Sequence, residues 1–210
     1  MSDNLILYTN PQSRGCIVRW MLEELGVPYR TEVLEYGEAM KAADYLSLNP
    51  MGKVPTLVHE ERIITECAAI CVYLAEVFAD SDLAPKSDDE RARYYRWMFF
   101  AAGPMESAIV NKNIFGEDAG KDKQEMLGYG TYQLALDALS SVIKSSAYIV
   151  GDRFTAADVY IGAQLGWGLQ FGTIEKREEF QEYVSRLSQR EAFQRAHALD
   201  QALLKEVDEA

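Results

Sequence analysis

The chain has 210 residues, 48% of them hydrophobic and 26% charged, a balance that builds one or two packed domains and excludes a disordered chain. The net charge is −12 with no Lys/Arg cluster to offset it, which repels phosphate backbones and anionic bilayers and sets aside nucleic-acid and membrane binding. Three cysteines, Cys16, Cys67 and Cys71, form no CxxC pair and argue against a disulfide framework.

Met1-Ser-Asp-Asn carries no basic n-region, and residues 5–8 are too short an apolar run for a signal core. A cytoplasmic protein is expected. Residues 5–8 read instead as a buried strand. Val18, Met21, Leu22 and Leu25 then recur at helical spacing over 14–25, and Gly26 followed by Pro28 gives the stop. A second strand over 29–34 closes a βαβ unit. A short helix (38–47) and a loop (49–53) lead into a hairpin of 54–58 and 62–65, turned at Glu60-Glu61. A helix over 66–78 buries Cys67, Ile70, Cys71, Leu74 and Phe78. This order, βαβ-α-ββ-α, is that of a thioredoxin-like domain and predicts an α/β N-terminal half over 1–79.

Residues 80–89, Asp-Ser-Asp-Leu-Ala-Pro-Lys-Ser-Asp-Asp, are polar, contain Pro85 and read as a linker. From there no alternating strand pattern occurs. Helices are predicted over about 89–110, 121–145, 155–169, 178–187 and 191–207, so 90–210 is expected to be an all-α domain. Gly151-Asp-Arg-Phe-Thr-Ala-Ala-Asp158 places Thr155 as N-cap and Asp158 at N3 of the third of these helices, a capping box with Phe154 and Val159 as its staple.

The stretch Asn49-Pro-Met-Gly-Lys-Val-Pro-Thr-Leu57, with Glu66-Cys67 nine residues beyond it, carries the functional signal. A proline opens the strand, and a cis Val54–Pro55 bond is expected to turn the Val54 N–H and C=O outward, where they can pair with an extended peptide. Glu66 and Cys67 open the next helix, whose amides and dipole favour an anion. A peptide backbone ending in a carboxylate satisfies both features.

With these pieces placed, the chain resembles the cytosolic glutathione transferases of bacterial type. The run Leu7-Tyr-Thr-Asn-Pro-Gln-Ser-Arg-Gly-Cys-Ile-Val-Arg-Trp-Met-Leu-Glu-Glu-Leu-Gly-Val-Pro-Tyr29 is similar to the opening of one subgroup of that family. The resemblance implies a fold of a thioredoxin-like domain followed by an all-helical one. It also implies a homodimer, glutathione as co-substrate with no tightly bound cofactor or metal, and transfer of the glutathione thiolate to a small hydrophobic electrophile. Other activities carried by this fold are glutathione-dependent thiol–disulfide or peroxide reduction and non-catalytic interaction.

Within the family a residue of the first strand–helix turn donates to the glutathione sulfur. Ser13 is the candidate here, with an N-cap as its ordinary role; Tyr8, Asn10 and Cys16 are alternatives, and gapless alignment puts the serine of several classes at Gln12. The resemblance further assigns glutathione contacts to Asn10, Lys53, Val54, Pro55, Glu66 and Cys67. Lys53 would reach the glycine carboxylate, Glu66 the α-ammonium, and the Cys67 amide the γ-glutamyl carboxylate, where many relatives have serine. Tyr94, Trp97, Phe99, Phe100, Trp167 and Phe171 are candidates to line a site for the electrophile, although most aromatics at helical spacing are core.

Overall fold

The computed structural model describes residues 4–116 and 120–208, which gather into two units, one of residues up to Asp82 together with those from Ser188 on, the other Leu83–Leu187. In the first unit β1 (Leu5–Thr9), α1 (Gly15–Leu25), β2 (Arg30–Val33), α2 (Ala43–Leu48), β3 (Thr56–His59), β4 (Arg62–Thr65) and α3 (Cys67–Val77) follow the order read from the sequence. The sheet runs β2-β1-β3-β4, with β1 and β2 parallel and the other two pairs antiparallel. The segment expected as one helix over 38–47 is divided: a single 3₁₀ turn, Ala39–Lys41, precedes α2, because Ala42 at the junction is extended.

Strand alternation distributes the side chains of β1. Leu5, Leu7 and Thr9 are buried on the face that receives α1, where a Cβ on Gly15 would lie 1.8 Å from Thr9 Oγ1. Glycine is therefore required for the first turn of α1 to seat on the strand end. Ile17, Met21, Leu22, Leu57, Ile70, Cys71 and Leu74 complete this core. Tyr8 points to the opposite face, its ring 5.7 Å from that of Tyr45 on α2.

The last helix, α9 (Glu191–Asp208), which the sequence places in the all-α domain 90–210, packs on α1 in the first unit. Phe193 meets Trp20 edge-on at 4.9 Å, and Arg190 holds the Glu24 carboxylate through two bonds of 2.6 and 2.7 Å. Arg19 and Asp200, 2% and 4% exposed, form a buried ion pair at 2.6 Å.

The regular elements described in the second unit are helices: α4 (Asp88–Phe100), α5 (Glu106–Phe115), α6 (Tyr132–Ser145), α7 (Ala156–Phe171) and α8 (Glu178–Ser188), whose last residue falls in the first unit. The helix expected over 89–110 widens to π geometry at Ala101–Met105, around Pro104, which has no N–H to give the preceding turn. The helix expected over 121–145 is likewise interrupted. Lys121–Met126 is a 3₁₀ segment, Gly130 turns at φ +64°, and Thr131 starts α6 by accepting from the Leu134 N–H at 3.0 Å. The capping box of α7 is present as expected, with Asp158 fully buried. Tyr94 and Trp97 are core residues, whereas Phe99 and Phe171 are exposed.

Candidate functional site

Strand register brings three chain segments to one end of the sheet. Tyr8 pairs with Thr56 and Thr56 with Thr65, so the residues that continue these strands, Thr9-Asn10, Val54-Pro55 and Glu66, leave the sheet side by side. The Cys67 thiol donates to the Arg14 carbonyl at 3.6 Å, tying the start of α3 to the turn before α1. Asn10, Ser13, Val54, Pro55, Glu66 and Cys67 thereby share one locality, with Lys53 on its rim.

The turn before α1 is built by its own polar side chains. Asn10 Oδ1 accepts from the Gln12 N–H and Asn10 Nδ2 donates to the Leu34 carbonyl, both at 2.9 Å, so each end of that amide is committed to backbone. Ser13 Oγ accepts from the Gly15 N–H at 3.0 Å and donates to the Asn10 carbonyl at 2.7 Å. In this state the serine does the work of an N-cap. The Tyr8 ring, in contrast, packs beside Tyr45 of α2.

Cys16 sits in the first turn of α1 with its thiol donating to the Pro11 carbonyl at 3.0 Å. Burial and the neighbouring Asp200 carboxylate push this thiol well above the usual range, against a smaller opposing pull from Arg19. A thiol so held is a poor nucleophile at neutral pH.

Glu66 adopts φ +67°, ψ 114°, a conformation that non-glycine residues rarely take, and it stands at the head of α3 without capping that helix through its side chain. Its carboxylate is exposed. The outcome is a helix start that presents backbone amides and a dipole next to an exposed carboxylate, suited to a ligand carrying both an anion and an ammonium group.

The loop over 49–53 is held tightly. Lys41 Nζ donates to the Met51 and Gly52 carbonyls, each at 3.0 Å. Gly52 takes φ +56°, and a Cβ there would lie 2.5 Å from the Met40 carbonyl oxygen. The Val54–Pro55 bond is cis, and neither backbone group of Val54 pairs within the described residues. The Lys53 side chain is exposed. Lys41, Tyr45, Asn49 and Thr56 support this loop. Asn49 and Thr56 fall within the stretch that carries the functional signal, whereas Lys41 and Tyr45 look like ordinary surface and core residues in a sequence.

Comparison with known proteins agrees with this arrangement. Family models described as the N-terminal and C-terminal domains of glutathione S-transferase match residues 17–77 and 106–191. The chain is 30% identical to glutathione S-transferase 3 of Schizosaccharomyces pombe, over 73% of this chain and 70% of that one. It is 32% identical to a stringent starvation protein A homolog of Haemophilus ducreyi, over 84% of this chain and 81% of that one. Among solved structures, a ternary complex of BphK, a bacterial GST, superposes with a TM-score of 0.76 at 25% identity, covering 93% of this chain and 98% of that one.

Proposed function

We propose that this chain, which belongs to the glutathione S-transferase superfamily, binds glutathione at the shared end of β1, β3 and α3 and transfers its thiolate to a hydrophobic electrophile. The observation that carries the reading is the convergence there of a Val54 backbone edge, unpaired among the described residues, with the start of α3. An extended tripeptide pairs its cysteinyl backbone with Val54, as an added strand would. Its γ-glutamyl carboxylate then takes the amides at Cys67, its α-ammonium meets Glu66, and its glycine carboxylate lies toward Lys53. Ser13 turns its proton from the Asn10 carbonyl to the sulfur, a rotation about one bond that a hydroxyl makes readily. A donor there favours the thiolate, and holding it beside the electrophile supplies proximity.

A second reading keeps the binding and drops the chemistry. Its support is the Ser13 proton, which is already engaged at 2.7 Å with the Asn10 carbonyl. A reductase reading that uses Cys16 has less to stand on, since burial and Asp200 push that thiol upward; one that uses glutathione alone is separated by the turnover assay.

The test is a thermal melt with and without millimolar glutathione, followed by conjugation of an aromatic electrophile. A ligand at a hundredfold excess over its Kd stabilises the native state by about 2.7 kcal/mol. Wild type is expected to shift and Glu66→Ala to shift much less. No shift in wild type rejects the site; a shift without turnover selects the binding-only reading.

A further inference from the structure

Behind the Val54 edge lies a closed ring of hydrogen bonds. Tyr45 Oη is 2.6 Å from the Lys53 carbonyl and 2.9 Å from Thr56 Oγ1, while Asn49 Nδ2 is 2.8 Å from the same carbonyl and 3.2 Å from Thr56 Oγ1. Counting protons fixes every direction. A carbonyl can only accept, so the single Tyr45 proton goes to Lys53. Thr56 must then donate to Tyr45 Oη and accept from Asn49, whose two amide protons are thereby both used. Asn49 Oδ1 accepts from the Met51 N–H at 3.1 Å. Every side-chain donor of the three residues is engaged, and each side-chain oxygen accepts one bond. Tyr45, Asn49 and Thr56 are all buried, at 4%, 5% and 0% exposure.

The consequence falls on the peptide unit between Lys53 and Val54. Both lone pairs of the Lys53 oxygen are taken from one side, by Tyr45 and by Asn49. In a trans peptide the C=O and the following N–H point in opposite directions. Fixing the Lys53 carbonyl inward therefore aims the Val54 N–H outward, at the open end of the sheet. Burial also pushes the Tyr45 phenol upward, against the pull of its hydrogen-bonded neighbours Thr56 and Asn49.

We propose that Tyr45 is a positioning residue of this site: through the Lys53 carbonyl its hydroxyl sets the direction of the Val54 N–H, and with it the affinity for the backbone of a bound thiol peptide. The proposal rests on the reading that glutathione binds there. A phenylalanine at 45 keeps the ring against Tyr8 but removes both the donor to the Lys53 carbonyl and the acceptor of the Thr56 hydroxyl, leaving that carbonyl held by Asn49 alone.

The experiment compares wild type with Tyr45→Phe in three measurements: glutathione affinity by calorimetry, kcat and KM for glutathione with an aromatic electrophile, and amide exchange over residues 49–54. One well-aligned hydrogen bond corresponds to roughly tenfold in affinity. The expected result is a KM and Kd for glutathione raised about tenfold, kcat at saturating glutathione unchanged, and faster exchange confined to 49–54. Wild type binding glutathione with Tyr45→Phe equal to it overturns the positioning role alone. A loss of kcat in step with a general loss of stability also overturns it, since a packing defect acts in that way. Wild type failing to bind glutathione rejects the underlying reading and the proposal with it.

Discussion

The Tyr183 hydroxyl, buried in α8, donates to Asp158 Oδ1 of the α7 capping box at 2.7 Å. The same oxygen accepts from the Ile149 N–H at 2.8 Å, and Oδ2 accepts from the Thr155 N–H and hydroxyl at 2.8 and 3.0 Å. Burial alone pushes this carboxyl upward, and the four donors work against that push. The box thus caps α7 and fastens both the 149 loop and α8 to its start.

Removing the carboxylate leaves buried donors without partners, each costing about 1–3 kcal/mol. Asp158→Ala is expected to lose about 3 kcal/mol or more, and Tyr183→Phe, which deletes one donor and leaves three, about 1 kcal/mol. Denaturant melts at neutral pH measure both. Activity per folded molecule should be retained, because the box lies in the second unit. Melts of Asp158→Ala that overlay wild type would show that the box does not hold the helix.

Glu179 gives the second unit a pH dependence of known sign. Burial opposes its charge, but the Ser140 hydroxyl and Lys144, at 3.1 Å, outweigh it and hold the carboxyl down from 4.5 to about 2. A carboxylate depressed in the folded state contributes stability above its unfolded pKa and loses it as pH falls through the folded value. Wild type is therefore expected to be more stable than Glu179→Gln at pH 7, with the gap closing between about pH 4.5 and 2. Urea melts across that range read the difference; a gap independent of pH would assign the effect to hydrogen bonding by the neutral groups.

Cys16 answers whether thiol chemistry belongs to this protein. Its thiol is held protonated by burial first and by Asp200 second. Alkylation by iodoacetamide at pH 7.5 should be far slower than for an unperturbed thiol, about 8.5 in pKa, and Asp200→Asn should speed it several-fold. The folded protein must be used, with mass spectrometry locating the modified residue. Fast alkylation of Cys16 in wild type would contradict this and favour the reductase reading through that thiol.

Much of this was visible in the chain because local rules agreed. The period of Val18, Met21 and Leu22, the stop at Gly26, and the Thr155–Asp158 spacing each specify an element without long-range information. The grouping of Ser13, Val54 and Glu66 was legible through resemblance, and the strand register supplies its physical reason. What escaped is non-local. Nothing in the periodicity of α9 says that Asp200 meets Arg19 of the first unit, 181 positions away. Nor does a tyrosine in a six-residue helix announce that its hydroxyl fixes a carbonyl eight residues on. The break before Thr131 and the widening around Pro104 were signalled by Gly130 and Pro104 themselves, and helical periodicity on either side outweighed both.

Ser13 is expected to activate the glutathione sulfur, and its present bonds set the terms of the test. As an N-cap it accepts from the Gly15 N–H at 3.0 Å, so Ser13→Ala should cost about 1 kcal/mol of stability whatever else the residue does. That loss says nothing about chemistry. The diagnostic quantity is the pKa of bound glutathione, read from thiolate absorbance, together with kcat/KM on an aromatic electrophile at equal concentrations of folded enzyme. A donor to a thiolate is worth about 2–4 kcal/mol where water is excluded, and less in a wetter site, so a tenfold to hundredfold loss in kcat/KM is expected. The bound thiol pKa should rise in parallel, since the lost bond favoured the charged form. Cys16→Ser should leave both quantities nearly unchanged, because that thiol faces the Pro11 carbonyl and Asp200. A Ser13→Ala protein that melts earlier yet keeps the wild-type thiol pKa and kcat/KM would make Ser13 a turn residue only, and would pass the sulfur contact to another group of the same turn.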